Sequence, residues 1–211
     1  MGKSVMGVFG NVSGKVGNVN FRTSQGRTIE SAYRAHISNP RTAKQVAARE
    51  QFAAYSQNLA KFAPVAADTA KGWYRPGNSF SNLFKGNYPD LIVEHGGDYE
   101  ADWMKLKLSK GNGYALENAS ASEDNGNISC SWTYDSVATP LNGDDPISIV
   151  AYNSAKDICV YGVGVAKRSD NQATLTMPAI FGGDNVEVYI FAKSVTTGEF
   201  NNSAYLGSIS L

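Results

Sequence analysis

The C-terminal half of the chain consists of short segments in which apolar and polar side chains alternate, and this pattern limits the fold more than any other feature. Such alternation places every second side chain on one face of an extended strand. Gly, Asn and Asp residues that favour turns lie between the segments. We predict seven strands: Met104–Leu108, Ile128–Tyr134, Ile147–Tyr152, Ile158–Val165, Ala173–Met177, Val186–Ala192 and Ala204–Leu211.

Seven short strands at regular spacing predict an immunoglobulin-like β-sandwich over residues 99–211. Trp132 on the second strand and Tyr189 on the sixth are similar to the fibronectin type III arrangement. Cys130 shares a face with Trp132, so we expect it to fill core space as a small hydrophobe. The N-terminus carries no secretory pattern, and we therefore expect Cys130 and Cys159 to be reduced thiols.

Residues 37–98 have helical periodicity. Asn39 and Pro40 form a typical helix start, with Asn as the N-cap and Pro at the first helical position. One apolar stripe then follows at spacings of three and four residues: Ala48, Phe52, Tyr55, Leu59 and Phe62. Pro64 should end or kink this helix. A third helix is indicated by Phe80, Leu83 and Phe84, with Gly86 as its C-terminal cap. The aromatic residues favour a small helical core over a ligand pocket.

Residues 1–36 form a Gly-rich arm. The unit Gly-x-x-Gly-Asn-Val occurs at 7–12 and again at 14–19. Because an interior Gly costs a helix about 1 kcal/mol relative to Ala, extended strands broken by Gly turns are favoured. The interleaved Val and Phe side chains cannot be buried by so short a segment alone. The arm therefore needs a surface to lie on, either its own chain or a neighbour. The predicted class is α+β: an extended arm, a small helical region and a C-terminal sandwich.

The formal net charge of zero hides a strong polarity along the chain. Residues 1–49 contain eight basic residues and one acidic residue, a net charge of +7. Residues 112–211 contain four basic and eleven acidic residues, a net charge of −7. Two interpretations stay open: attraction between opposite ends of like molecules or with other partners, and two solvated surfaces that merely differ.

The candidate interface residues lie on the arm. They are Val12, Lys15, Val16, Val19, Phe21, Arg22, Arg27 and Arg34. Arginine is common at protein interfaces, and few aromatic residues accompany these charges, so a protein partner is favoured over nucleic acid. The glycines around Lys15 do not have the spacing of a phosphate-binding loop, and Val16 stands where that loop needs Ser or Thr.

No catalytic constellation emerges from the sequence. His95 with Asp102 could form two parts of a triad, but no Ser or Cys stands in a nucleophile motif. His95 is expected to be a loop residue between the helical and β regions. With two His and two Cys in the chain, a His/Cys metal site is disfavoured, and we expect no cofactor. No apolar stretch approaches the length of a membrane span.

Three motifs resemble an uncharacterised protein family of Bacteroidota and their crAss-like phages. The first is the arm pattern Gly7-x-x-Gly10-x-x-Ser13-Gly14-Lys15-Val16-Gly17-Asn18-Val19. The second, and the most specific, is Asn39-Pro40-Arg41-Thr42-x-x-Gln45-x-x-x-Arg49-x-x-Phe52. The third is the ending, Asp184-x-Val186-Glu187-Val188-Tyr189 with Asn202-Ser203-x-Tyr205-Leu206-Gly207. The chain departs from the family at Arg22–Arg27, where an aromatic residue followed by Lys or Arg and Gly is usual.

The resemblance implies a virion component, such as a head decoration, a neck or tail ring, or a connector. We therefore expect a non-enzymatic structural protein that assembles through its arm with other virion proteins and with copies of itself. Its expected location is the virion, after assembly in the cytoplasm of the bacterial host. The alternative is an immunoglobulin-like binding module that recognises carbohydrate or a host cell surface.

Overall fold

The computed structural model describes residues 13–24, 27–35, 41–71, 73–74, 78–138 and 141–211. The chain divides into two compact units, Met1–Val46 and Ala47–Leu211. Its described residues form three helices and many antiparallel strands, so the protein is of the mixed α+β class, as predicted. The predicted helix start at Asn39 and Pro40 and the first Gly-x-x-Gly-Asn-Val unit lie outside the described residues.

The first unit contains a three-stranded antiparallel sheet. Its strands follow one another as a meander: β1 (Gly14–Val16), β2 (Val19–Ser24) and β3 (Arg27–Ala32). Gly17 and Asn18 form the turn between β1 and β2. Gly17 has a φ of +58°, in the left-handed region that glycine enters without a steric cost. Extended strands joined by a glycine turn, as predicted for the arm, are thus present between residues 14 and 32.

Three helices follow along the chain: α1 (Ala43–Ala60), α2 (Ala63–Thr69) and α3 (Ser79–Asn87). Tyr55, Leu59 and Phe62 of the predicted stripe are fully buried. Phe52 is 60% exposed, although its ring lies 4.8 Å from that of Phe84. The long helix ends at Ala60, and Pro64 lies in the first turn of α2, where its missing N–H costs nothing.

Gly86 has a different role from the predicted one. It lies inside α3, and Tyr88 is the C-terminal cap residue. A side chain at Gly86 would place its Cβ 2.7 Å from the indole ring of Trp73. The glycine therefore lets Trp73 pack against the helix, and this packing, rather than helix termination, accounts for it.

The segment between the helices and the sandwich also differs from the prediction. A β-hairpin is formed by β4 (Ile92–His95) and β5 (Asp98–Ala101), so His95 ends a strand instead of lying in a loop. The predicted strand Met104–Leu108 is absent: residues 103–105 form a 3₁₀ turn, and an irregular extended stretch follows. A side chain, rather than a neighbouring strand, satisfies the backbone here: the Lys107 N–H donates to Asn87 Oδ1 at 2.7 Å.

Seven strands form two antiparallel sheets in the rest of the second unit. The three-stranded sheet has the order β10-β7-β6 and contains β6 (Glu117–Asp124), β7 (Asn127–Thr133) and β10 (Gln172–Leu175). The four-stranded sheet has the order β12-β11-β8-β9 and contains β8 (Pro146–Asn153), β9 (Ile158–Lys167), β11 (Asn185–Ala192) and β12 (Ala204–Ser210). The other six predicted strands are present, and β6 was not predicted.

The four-stranded sheet is covered on both faces. On one face, Val150 and Tyr152 of β8 pack with Tyr55, Leu59 and other helical residues in one core cluster. On the opposite face, alternate β8 residues such as Ile149 pack against the three-stranded sheet in a second cluster. The second unit therefore has three layers: helices, the four-stranded sheet and the three-stranded sheet. Burial on both sides explains why β8 is almost continuously apolar.

Candidate assembly interface

The predicted interface residues lie mainly on the sheet of the first unit, and its register sorts them into two faces. Val16 pairs with Val19, and Val19 pairs with Ala32. Paired residues in an antiparallel ladder share a face, and neighbours along a strand alternate. We call the side that bears Val16, Val19, Phe21 and Ala32 the apolar face.

The opposite side of the same sheet bears its basic residues, and we call it the basic face. The acidic residue Glu30 pairs with Phe21 and lies on the apolar face. Lys15 pairs with Asn20, and Arg22 pairs with Ile29. Arg27 lies two residues before Ile29 on the same strand, so both side chains are on the face that bears Arg22. The register therefore places all three cations on this side. In the part of the chain that the structure describes, none of these cations takes part in an ion pair.

Lys15 makes one defined contact within the basic face. Its Nζ lies 3.5 Å from the centroid of the Tyr33 ring. A cation at this distance over an aromatic face is attracted by about 0.5–1 kcal/mol when exposed. The contact holds the Lys15 side chain over the end of β3, where the Tyr33 N–H donates to the Asn18 carbonyl at 2.7 Å. Tyr33 was not among the predicted interface residues, because its role depends on the strand register.

The apolar face lacks burial. Val16 is 58% exposed, and Val19 and Phe21 are half-buried. Between Ser13 and Ala35, none of the side chains whose exposure the structure describes is buried. A sheet of this kind has no core of its own, since folding stability comes mainly from apolar area removed from water.

Two of the predicted residues stand apart from the sheet. Val12 lies outside the described residues. Arg34 follows β3 and is exposed. The structure thus brings Lys15, Arg22 and Arg27 together on one face and places Val16, Val19 and Phe21 on the other.

A buried ion pair fastens the loops at one end of the sandwich. Arg168 and Asp145 are 3% and 1% exposed, and the distance from Arg168 Nε to Asp145 Oδ2 is 3.4 Å. The Arg168 guanidinium donates to the carbonyls of Tyr114 and Ala115 at 2.8 and 2.9 Å. Its own carbonyl accepts the Trp132 indole N–H at 2.7 Å. Burial lowers the pKa of Arg168, and the charge of Asp145 opposes that shift.

A second polar cluster joins α1 to the turn between β8 and β9. Tyr152 OH donates to Asp157 Oδ1 at 2.7 Å, and Lys61 Nζ lies 3.1 Å from Tyr152 OH and pairs with Asp157. The hydrogen bond from Lys61, followed by that from Tyr152, lowers the pKa of Asp157. Every member of the cluster has a partner, which is typical of a structural clamp rather than of a reactive group.

The same end of the sandwich as Arg168 carries a cleft of about 210 Å³. Asn112, Tyr114, Asn142, Thr197 and Glu199 are among the residues that line it. A wider depression, of about 400 Å³, lies beside the 3₁₀ turn, and there the lysines Lys105 and Lys107 already pair with carboxylates.

Cys130 and Cys159 are free thiols, and burial raises the pKa of each to about 12. Within the described ranges, no three His, Cys, Asp or Glu residues form a group that could hold a metal ion. No helix among those same residues is long and apolar enough to cross a membrane. His95 is exposed and pairs in the hairpin ladder with Asp98, whereas the Asp102 carboxylate accepts from the Met104 N–H in the 3₁₀ turn.

A model of a family of unknown function, DUF6266, matches residues 11–207. The chain belongs to this family. The expectation of an uncharacterised family is confirmed at that level. No curated protein matches this DUF6266 chain. Among solved structures, it is similar to a DUF3823 family protein from Bacteroides ovatus, with 16% sequence identity and a TM-score of 0.31. That match covers 46% of the DUF6266 chain. It covers 53% of the other protein, which is about half of its length.

Proposed function

We propose that the protein is a non-enzymatic structural subunit of a bacteriophage particle and that it assembles through the sheet of its N-terminal arm. One observation carries the proposal: the arm forms three strands, yet no described residue between Ser13 and Ala35 is buried. Ordering a residue costs about 1–2 kcal/mol of conformational entropy, and a sheet without a core offsets little of it. A neighbouring surface against the apolar face supplies the missing burial.

The partners in this proposal are copies of the same chain and other virion proteins. Lys15, Arg22 and Arg27, which form no ion pairs within the described part of the chain, suit an acidic partner surface. The resemblance of the arm and helix motifs to proteins of Bacteroidota and crAss-like phages supports a place in the neck or tail ring, a connector or a head decoration. Assembly then takes place in the host cytoplasm.

We also infer that the second unit contains an immunoglobulin-like or fibronectin III-like domain. Its seven strands divide into antiparallel sheets of three and four. Consecutive strands change sheet between β7 and β8, between β9 and β10, and between β10 and β11. A core between the two inner faces includes Trp132 of β7, as in that class of sandwich. Here the outer face of the larger sheet carries helices in addition.

Deletion of residues 1–36 tests the proposed function. We expect the shortened protein to keep the circular dichroism spectrum and thermal transition of the second unit, Ala47–Leu211, and to lose assembly in sedimentation velocity and electron microscopy. The matched control replaces the same residues with a Gly/Ser linker of equal length, which keeps chain length but removes the arm sequence. Mass spectrometry of purified phage particles tests the location.

Two results would count against the proposal. Assembly of the deleted protein with wild-type affinity would show that the arm is dispensable. A Gly/Ser control that assembles normally would show that chain length, rather than the arm sheet, is what matters.

A second candidate is a binding module for carbohydrate, and the cleft beside Tyr114 favours it. The cleft combines a 61% exposed aromatic ring with amide, hydroxyl and carboxylate groups from Asn112, Asn142, Thr197 and Glu199. Such a mixture suits sugar rings, which present apolar faces and hydroxyl groups. A glycan array separates the two candidates, because a binding module gives specific signals that Tyr114→Ala removes, whereas a structural subunit gives none.

A further inference from the structure

We infer that the arm of one copy adds its outer strand, β3, to the exposed edge strand β6 in the sandwich of a second copy. This inference rests on the proposed function and names a partner for the outer edge of the arm sheet, which is distinct from its apolar face. Within the described residues, β3 pairs only with β2, and β6 pairs only with β7. Each therefore has one edge with which no described strand pairs, and such an edge can accept a further strand.

Charge distinguishes β6 as the receiving edge. Residues 111–155 contain no Lys, Arg or His. Glu117 lies at one end of β6, and Glu123 and Asp124 lie at the other. All three are exposed, and within the described part of the chain none of them takes part in an ion pair. The edge is therefore an acidic strip that has no cation of its own.

The spacing of charges on β3 matches that strip. Arg27 and Arg34 lie seven residues apart, at the start of β3 and just beyond its end. Glu117 and Asp124 are also seven residues apart. At about 3.3 Å per residue, seven regular strand residues span roughly 23 Å. The bulge between Glu117 and Ser120 shortens the span on β6 by about one residue. An antiparallel pairing, the only kind in the described sheets, then sets Arg27 against Asp124 and brings Arg34, just beyond β3, near the Glu117 end of β6.

The middle of the pairing is also compatible. In this register Glu30 of β3 lies opposite Ala121, and the neighbouring β6 residues are Ser120 and Ser122, so no like charges meet. A bulge between Glu117 and Ser120 leaves the stretch Ser120–Asp124 regular. That stretch contains no Pro or Lys, the residues that commonly block an edge strand. The second copy thus offers five regular residues bordered by acidic side chains.

Reciprocal charge reversal in the full chain tests the inference. We expect the wild-type protein to associate in sedimentation velocity, and less so as salt is raised. The variants E117K/D124K and R27E/R34E should each weaken association by about tenfold or more. The four changes combined in one chain, or the two double variants mixed, should restore association because the charges are again complementary. The matched control E94K/E100K reverses two exposed acids on the β4–β5 hairpin and should leave association unchanged.

The outcomes separate the inference from the proposed function. If deletion of residues 1–36 abolishes assembly but E117K/D124K does not weaken it, the arm assembles elsewhere and the β6 inference fails alone. Failure of the combined variant to restore association also overturns it, as does a wild-type chain that stays monomeric at all concentrations. The neutral variant E117Q/D124N guards against misfolding: it should weaken association to a smaller extent, with an unchanged thermal transition.

Discussion

The buried ion pair between Arg168 and Asp145 gives the sharpest test of how the sandwich is held together. Arg168→Met removes the guanidinium and keeps a side chain of similar length. The Asp145 carboxylate then stays buried without its cationic partner and keeps the hydrogen bond from the Val195 N–H at 3.0 Å. The carbonyls of Tyr114 and Ala115 also lose their cationic donor.

The expected cost follows from these contacts. Removing one partner of a buried ion pair destabilises a protein by about 3–5 kcal/mol, because the remaining charge is left without compensation. Each carbonyl that loses its partner adds a desolvation cost, although such terms are not additive. We therefore expect a loss of about 4 kcal/mol, a large part of the 5–15 kcal/mol that is typical of whole domains.

Urea denaturation followed by tryptophan fluorescence measures this loss, since Trp132 donates to the carbonyl of Arg168. Asp145→Asn and the double variant complete a double-mutant cycle. The double variant should be less destabilised than the sum of the two single variants, because it leaves no buried charge unpaired. A loss below about 1 kcal/mol for Arg168→Met, or strict additivity in the cycle, would refute the reasoning.

Two further predictions concern other parts of the second unit. Gly111→Ala should destabilise by about 1–3 kcal/mol in urea denaturation, because the new Cβ would lie 2.1 Å from the Phe200 carbonyl oxygen; Gly182→Ala, with ordinary contacts, is the control. The hydrogen bond and charge of Lys156 hold the pKa of Asp184 below its ordinary value. The stability that the ionised Asp184 carboxylate gives the folded protein is therefore fully present above the ordinary pKa and is lost as acid protonates that carboxylate in the folded state. Asp184→Asn should therefore flatten the acid side of the stability profile, and an unchanged profile would contradict this.

The sequence predicted the elements whose pattern is local. The stripe of Tyr55, Leu59 and Phe62 predicted α1, and alternation predicted six of the strands. The prediction from sequence failed where side chains, rather than a neighbouring strand, form the hydrogen bonds of the backbone. Leu106 and Leu108 are buried and alternate as in a strand, but Asn87 and Ser203 side chains satisfy that backbone instead of a ladder.

The strand β6, by contrast, is present in the structure but was not predicted. Its sequence consists of Ala, Ser, Asn and acidic residues, which have little β-propensity, and only its position beside β7 makes it a strand. The candidate interface could likewise be predicted from the sequence only in part. Composition singled out the arm cations, but the split between a basic and an apolar face depends on register. Arg168, the last arginine in the chain, gave no sign of burial in the sequence.

The two-sided burial of the larger sheet has a practical meaning for dissecting the molecule. A fragment that starts at residue 99 would keep all seven sandwich strands yet uncover Val150, Tyr152, Tyr189 and Phe191, which the helices shield in the intact chain. An exposed apolar surface of this kind favours self-association during expression. A fragment that begins no later than the start of α1 at Ala43 keeps these helices, and any grafting of this domain onto another scaffold has to carry the helical cover with it.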